Sequence, residues 1–442
     1  MRDYLRIADR IAADIASGRL SPGQRLPPQR AFARRHGIAA STAERVYGEL
    51  VRRGLVVGEV GRGTFVRAHR DAAGDGRSLV EPAGTPVPVD LQLNYPSVPG
   101  QSALLAPALA PLLRPDVLTE ALRPAAATGT GAAREAAAGL LGVPDPARVL
   151  FTGNARQAIA AALASLVRPG GRVGVDELTY PLVKEIAGRL GVTLVPVAMD
   201  GGGMRPDALV AVHRAAALSA LYLQPTLHNP TSVTMGEGRR RDLAEVVEGL
   251  GLPVVEDRIW SFLYDDGPAP FARYAPGLTH LVDGLSKRVA PGLTVGFLVV
   301  PEDRVDAVAA AIRSGGWSAG RFALEAAVRW TADGTVARLV AAKRADAARR
   351  QRLVARALAG VGALRTDPRA YYAWWELPSP WRADTFAAAA ARRGIAVTPG
   401  PAFAVDPHRT PDAVRLGLAS AGEEELARAL GTLAALAGSA AA

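Results

Sequence analysis

From about residue 89 onward the chain alternates short apolar runs with alanine-rich stretches of helical length, and that alternation leaves few folds open. The runs "RVLFT", "RVGVDE", "TLVPVA", "SALYLQ", "LPVVED", "HLVDGLS" and "VGFLVV" read as strands with helix-forming sequence between most of them. Strands joined through helices pair in parallel, so the pattern predicts an α/β domain with a largely parallel sheet. From about residue 335 the pattern changes. A long Ala/Arg helix is followed by "YYAWWEL", "GIAVTPG" and "AVRLGLA", which predict a smaller α+β lobe. The expected organisation is therefore a large domain over 89–334 and a small one over 335–442. Residues 71–88, rich in Gly, Pro and Ala, read as a flexible linker behind a separate N-terminal unit, 1–70.

Whole classes of chemistry fall away on composition. With no cysteine the chain has no disulfide, no thiolate metal site and no cysteine nucleophile. Its six histidines are scattered without metal-ligand spacing, so no metal is expected. No apolar run reaches the ~18 residues a membrane span needs, and the charged start, "MRDYLRIADR", has no signal-peptide core. The expected location is the cytoplasm, without a membrane partner. Residues 1–70 hold 14 arginines and six acids, so +8 of the chain's net charge of +10 sits in its first sixth. A basic concentration of that kind suits a polyanion, most often nucleic acid.

Residues 4–17 put Leu5, Ala8, Ile11, Ala12 and Ile15 on one helical stripe that Gly18 ends. Pro28 opens a second helix, 28–35, which Gly37 stops, and a third spans 41–53 with Ser41 as its cap and Glu44 at the capping-box offset. "LVVGEVGRGTFVRA" reads as a hairpin. Three helices and a hairpin make a winged helix-turn-helix. The third helix would enter the major groove of double-stranded DNA, leading with Ser41, Thr42 and Arg45. Arg30 would hold the backbone, and Arg62 and Gly63 at the wing tip would reach a minor groove. The run "GRLSPGQRLPPQRAFARRHGIAASTAERVYGELVRRGLVVGEVGRGTFV" resembles the GntR-type DNA-binding domain along nearly its whole length.

In the large domain, polar stretches sit at the strand ends, where ligands of open α/β sheets gather: "TGNARQ", "DELTY", "QPTLHNPT", "EDRIW" and "GLSK". Lysine is scarce. Lys184, Lys287 and Lys343 stand against 49 arginines, and unlike arginine a desolvated lysine can lose its proton and act as a nucleophile. A cofactor such as pyridoxal phosphate needs an amine for its aldehyde, an acid for its ring nitrogen, donors for its phosphate and a flat partner for its ring. Lys287 can form the Schiff base, Asp257 can pair with the ring nitrogen, Asn229 can donate to the phenolate oxygen, and Tyr180 can stack. The amides of Asn154, Ala155 and Arg156 open a helix suited to phosphate. Arg415 can fork onto a substrate carboxylate.

"NPTS", "VVED", "SK" and "APGL-x-x-G", in that order, resemble the fold-type-I aminotransferases over about 90–430. Behind a GntR-type domain the whole chain is similar to the MocR subfamily of regulators. The resemblance implies a mixed, mostly parallel seven-stranded sheet with a smaller α+β lobe, a head-to-tail homodimer, and pyridoxal phosphate, free or joined to an amine, as the effector controlling transcription. It adds Trp260, Ser286 and Arg288 to the cofactor residues. The chain departs from the family at the phosphate. Gly284 stands where a serine reaches it and Thr294 where an arginine does, a loss that Arg288 is expected to offset in part. Trp260 replaces the tyrosine beside the phenolate, and "RPAAATGTGAAREA" lacks the aromatic that reaches the neighbouring subunit. A weakened phosphate grip suits a sensor. The alternatives are a working aminotransferase tethered to DNA and a regulator whose large domain has abandoned the cofactor.

Overall fold

The computed structural model describes residues 3–17, 19–20, 24–53, 55–59, 63–66, 88–407 and 409–439. Of the sequence readings, Arg62 and linker residues 71–87 lie outside the described residues.

In the head, helices Asp3–Ala16, Gln29–His36 and Ala40–Arg52 enclose a core of Ala8, Ile11, Ile15, Phe32, Val46, Tyr47 and Leu50. The apolar stripe of the first helix supplies three of these, as its 3.6-residue spacing dictates. Strands Val56–Glu59 and Gly63–Val66 form the wing, and Arg25–Leu26 adds a third strand beside Gly63–Val66. Gly37 ends the second helix in the left-handed region, φ 62. The third helix starts one residue earlier than the capping signal suggested. Ala39, in extended conformation, is its N-cap, with no side-chain cap bond. Ser41 is thus not the cap. It lies in the first turn with Thr42, and the N–H groups of Thr42 and Ala43 bond the Ala39 carbonyl instead.

The large domain is built on a seven-stranded sheet ordered Val149–Thr152, Gly296–Val299, Thr279–Gly284, Val254–Asp257, Ala220–Leu223, Arg172–Asp176, Thr193–Val197. These are the seven runs read from the sequence. All pair in parallel except Gly296–Val299, which is antiparallel to both neighbours. Most of the strands are buried along their whole length, because helices cover both faces. The small lobe is a four-stranded antiparallel sheet of Ala363–Arg365, Tyr372–Glu376, Ala413–Gly417 and Thr398–Pro399, backed by helices Thr335–Ala357, Ala383–Ala391 and Glu423–Gly438.

One segment crosses the expected boundary. Residues 89–93, read as the start of the large domain, pack on the small lobe. Val89–Asp90 pairs in parallel with Ile395–Ala396, and Leu91 is buried in the small-lobe core. Among the described residues, no helix is long and apolar enough to cross a membrane.

Candidate functional site

The carboxyl ends of the strands open into a cleft of about 780 Å³. Ten of the residues singled out in the sequence line it together: Asn154, Ala155, Arg156, Tyr180, Asn229, Asp257, Trp260, Ser286, Lys287 and Arg415. Nine of them sit at the carboxyl ends of strands of the seven-stranded sheet, which brings loops far apart in sequence together, and Arg415 reaches the cleft from strand Ala413–Gly417 of the small lobe.

Lys287 stands on the short helix Leu285–Arg288, directly after strand Thr279–Gly284. Its Nζ donates to the carbonyl of Asn94 at 2.6 Å and lies 3.8 Å from the centre of the Tyr95 ring and 5.1 Å from that of Trp260. Burial, followed by the charges of Arg415, Arg156 and Lys343, holds its amine well below the usual lysine range. Lys343, wholly buried, fixes the short helix from behind by donating to the carbonyls of Lys287 at 2.9 Å and Val289 at 2.7 Å.

Asp257 ends strand Val254–Asp257. Burial pushes its carboxyl up to about 6, against the N–H of Ile259 at 3.0 Å and the hydroxyl of Tyr222 at 2.7 Å, which both donate to it. A cation beside it would hold it ionised. Gln224 accepts the Asn229 N–H at 2.8 Å and so sets the turn that carries Asn229. Asn154 caps helix Ala155–Leu166 through its own side chain, which accepts from Gln157 N–H at 3.1 Å, so the first-turn amides of Ala155 and Arg156 keep no acceptor within the helix. Arg415 is buried, donates to the Gln92 carbonyl and, at 3.3 Å, to Thr398, and has its ordinary value lowered to about 10 by burial, so it remains a cation.

Arg288 does not join the cleft, a correction to the sequence reading. Its guanidinium turns inward to the fully buried Asp283, 2.5 Å away, and lies over the Phe262 ring. A carboxylate without exposure requires a counter-charge, and the neighbouring arginine supplies it. Arg156, which the sequence suggested only for its amide, lines the cleft. Its charge is felt by Lys287, Tyr95 and Tyr180. The glycine at 284 is also explained, because a Cβ there would come within 2.9 Å of the Val295 carbonyl, leaving no room for serine.

The donor set fits pyridoxal phosphate. Asn229 Oδ1, Thr294 Oγ1, Arg415 Nε and Asn94 Nδ2 are buried without a hydrogen-bond partner, and all four residues line the cleft. Orphaned buried polar atoms are costly, and a ligand that pairs with them recovers that cost. Among the described residues no group of three His, Cys, Asp or Glu could hold a metal ion. Sequence reasoning missed Asn94, Tyr95, Gln224 and Tyr222. "NYP" just after the linker was the one available signal for the first two.

In the head, Arg30, Ser41 and Arg45 are exposed and Thr42 is half-buried. Gly63 has φ 122, and a Cβ there would lie 2.6 Å from Arg25 Nε, so only glycine suits this point of the wing.

Residues 124–433 match the family model for aminotransferase class I and II, and residues 3–66 match that for bacterial regulatory proteins of the gntR family. The HTH-type transcriptional regulator YdeF of Bacillus subtilis is 29% identical over 419 residues, covering 94% of this chain and 90% of that protein. The HTH-type pyridoxine biosynthesis transcriptional regulator PdxR of Corynebacterium glutamicum is 25% identical, covering 75% of this chain and 74% of its own. Among solved structures, LysN, the alpha-aminoadipate aminotransferase of Thermus thermophilus complexed with N-(5'-phosphopyridoxyl)-L-leucine, superposes with a TM-score of 0.73 at 22% identity, over 79% of this chain and 92% of its own.

Proposed function

Since the chain belongs to the class I and II aminotransferase family and carries a gntR-family DNA-binding head, we propose that it is a transcription regulator whose aminotransferase-like half takes pyridoxal phosphate, alone or joined to an amine, as effector. The observation that carries the reading is Lys287, a buried amine kept from its usual charge, in one cleft with a carboxylate, an asparagine and a tyrosine. A relative named as a regulator of pyridoxine biosynthesis supports it. Bound there, the cofactor would supply an aldehyde that condenses with amines and a ring that withdraws electrons. Lys287 would hold it covalently, Asp257 its ring nitrogen, Asn229 its phenolate oxygen, and Arg415 the carboxylate of an amine partner. Leu113 and Leu122, 65% and 75% exposed, give apolar surface for the homodimer this reading includes. The reading puts the protein in the cytoplasm with its DNA. Titration with pyridoxal phosphate tests it: a saturable visible band supports the reading, and a protein that stays colourless overturns it.

The phosphate grip is assigned to the Ala155 and Arg156 amides and to the Arg156 guanidinium, which stands in for the arginine missing at 294. A lost charge-assisted bond costs about 1.5–3 kcal/mol, or roughly 10- to 150-fold in affinity. Arg156→Ala should therefore weaken pyridoxal phosphate by that factor while leaving unphosphorylated pyridoxal unchanged, as read by parallel absorbance titrations. Equal losses for both ligands would remove Arg156 from the phosphate.

On DNA, Arg45→Ala should cost about 1–3 kcal/mol at a preferred site and relax base choice, whereas Arg30→Ala should weaken every duplex alike and reduce the salt slope by about one. Anisotropy titrations over a salt series separate the two, and identical behaviour would refute the docking.

A further inference from the structure

Two of the basic side chains that face the cleft are engaged by one stretch of backbone. Lys287 donates to the Asn94 carbonyl at 2.6 Å, and Arg415 donates to the Gln92 carbonyl. Both acceptors lie in residues 88–98, the first described segment after the residues that join the head to the rest of the chain. The segment is otherwise tied to the small lobe. Leu91 N–H donates to the Ala396 carbonyl at 2.8 Å, Gly417 N–H to the Leu91 carbonyl at 2.7 Å, Ala419 N–H to Asn94 Oδ1 at 3.1 Å, and Tyr95 N–H to Ser420 Oγ at 3.0 Å. Lys287 belongs to the large domain, so its bond to Asn94 ties this segment across the lobes. Gly417 permits the close approach, since a Cβ there would meet the Leu93 and Leu91 carbonyls at 2.7 and 2.8 Å.

We propose that residues 88–98 form a strap clamped by Lys287 and Arg415, and that a ligand which engages either side chain loosens the strap and so reports occupancy to the chain leading to the winged head. The inference rests on the function proposed above and names the regulation of the same site. Each side chain loses the strap for a chemical reason. When Lys287 condenses with an aldehyde, its nitrogen lone pair attacks the carbonyl carbon, a C=N bond replaces C=O, and the oxygen leaves as water with the two amine hydrogens. Nζ then no longer carries the two hydrogens with which the free amine donates to Asn94. Arg415 meets a carboxylate as a charged, two-pronged acceptor, which outcompetes a neutral carbonyl. Its Nε, buried without a partner, is the unused prong. An aldehyde alone frees Asn94, whereas a carboxylate-bearing amine that takes over the aldehyde carbon returns Lys287 as a free amine and frees Gln92 through Arg415.

Hydrogen–deuterium exchange on the full chain tests this, with pyridoxal phosphate as probe and the visible band read on the same samples. Exchange across residues 91–98 should quicken roughly tenfold on ligand addition, as expected when one local bond is lost. Lys287→Ala should show the fast exchange without ligand and no further change with it. Gly417→Ala, which pushes the strap outward while altering no residue assigned to the aldehyde or its ring, should also exchange fast while still developing the band. A band in the wild-type protein with unchanged exchange in 91–98 overturns the strap but leaves the effector reading standing. No band in the wild-type protein overturns the effector reading, and slow exchange in Lys287→Ala then overturns the clamp independently.

Discussion

Lys287→Ala is expected to abolish the visible band at every concentration of pyridoxal phosphate and to weaken binding by at least about a hundredfold, on the order of 3 kcal/mol. The covalent bond has no other donor nearby. Lys343 lines no part of the cleft, and its Nζ is committed to the carbonyls of Lys287 and Val289. The variant should fold. Burial holds the Lys287 amine below its ordinary value, so in the window between its folded value and about 10.4 the unfolded chain binds one proton more than the folded one. Stability therefore rises with pH across that window in the wild-type protein. At neutral pH the lysine is a burden whose removal is no loss, and the pH slope should flatten in the variant. Absorbance titration and urea unfolding at several pH values check both statements. A persisting band would move the aldehyde to another amine.

Arg240→Met should cost at least about 3 kcal/mol, because each buried carbonyl that loses its donor costs about 1–3 kcal/mol, although Glu256 keeps Arg258 at 4.0 Å. Arg240 is wholly buried. It donates to the carbonyls of Met235 at 2.8 Å, Pro225 at 2.8 Å and Ala269 at 3.1 Å, and to Thr226 Oγ1 at 2.8 Å, and it lies 4.0 Å from the fully buried Glu256. The Pro225 and Met235 carbonyls bracket the loop that carries Asn229, in which Leu227 and Ser232 sit at φ 47 and 59 without being glycine. Such conformations persist only where the surroundings over-determine them. The variant should therefore lose both stability, read by urea unfolding, and affinity for pyridoxal phosphate, read by titration. A loss below about 1 kcal/mol would show that Arg240 is a spectator.

The three scarce lysines share one kind of contact. All three lysines donate to backbone carbonyls: Lys287 to Asn94, Lys343 to Lys287 and Val289, and Lys184 to Ala402 and Ala404. Arginines bond clustered backbone carbonyls too, as Arg240 and Arg350 do, so this contact alone does not set the lysines apart. Only one of the three also faces the cleft. Sequence rarity flagged all three, and position at a strand end chose between them.

Much of the fold was legible because it rests on local periodicity. The seven strands, the winged head and the small lobe follow from where apolar residues recur, and strands of one parallel sheet must bring their carboxyl ends together. That alone gathers Asn154, Tyr180, Asn229, Asp257 and Lys287 into one cleft. The direction of a side chain is another matter. Arg156 and Arg288 each sit beside a candidate ligand residue in sequence, and nothing local separates them. The tertiary structure does, because Asp283 is buried where only Arg288 can neutralise it. Likewise Asn94 and Tyr95 reach Lys287 across nearly two hundred residues of chain. Periodicity records which residues are buried, whereas the identity of a distant carbonyl within hydrogen-bond range depends on how the whole chain closes on itself.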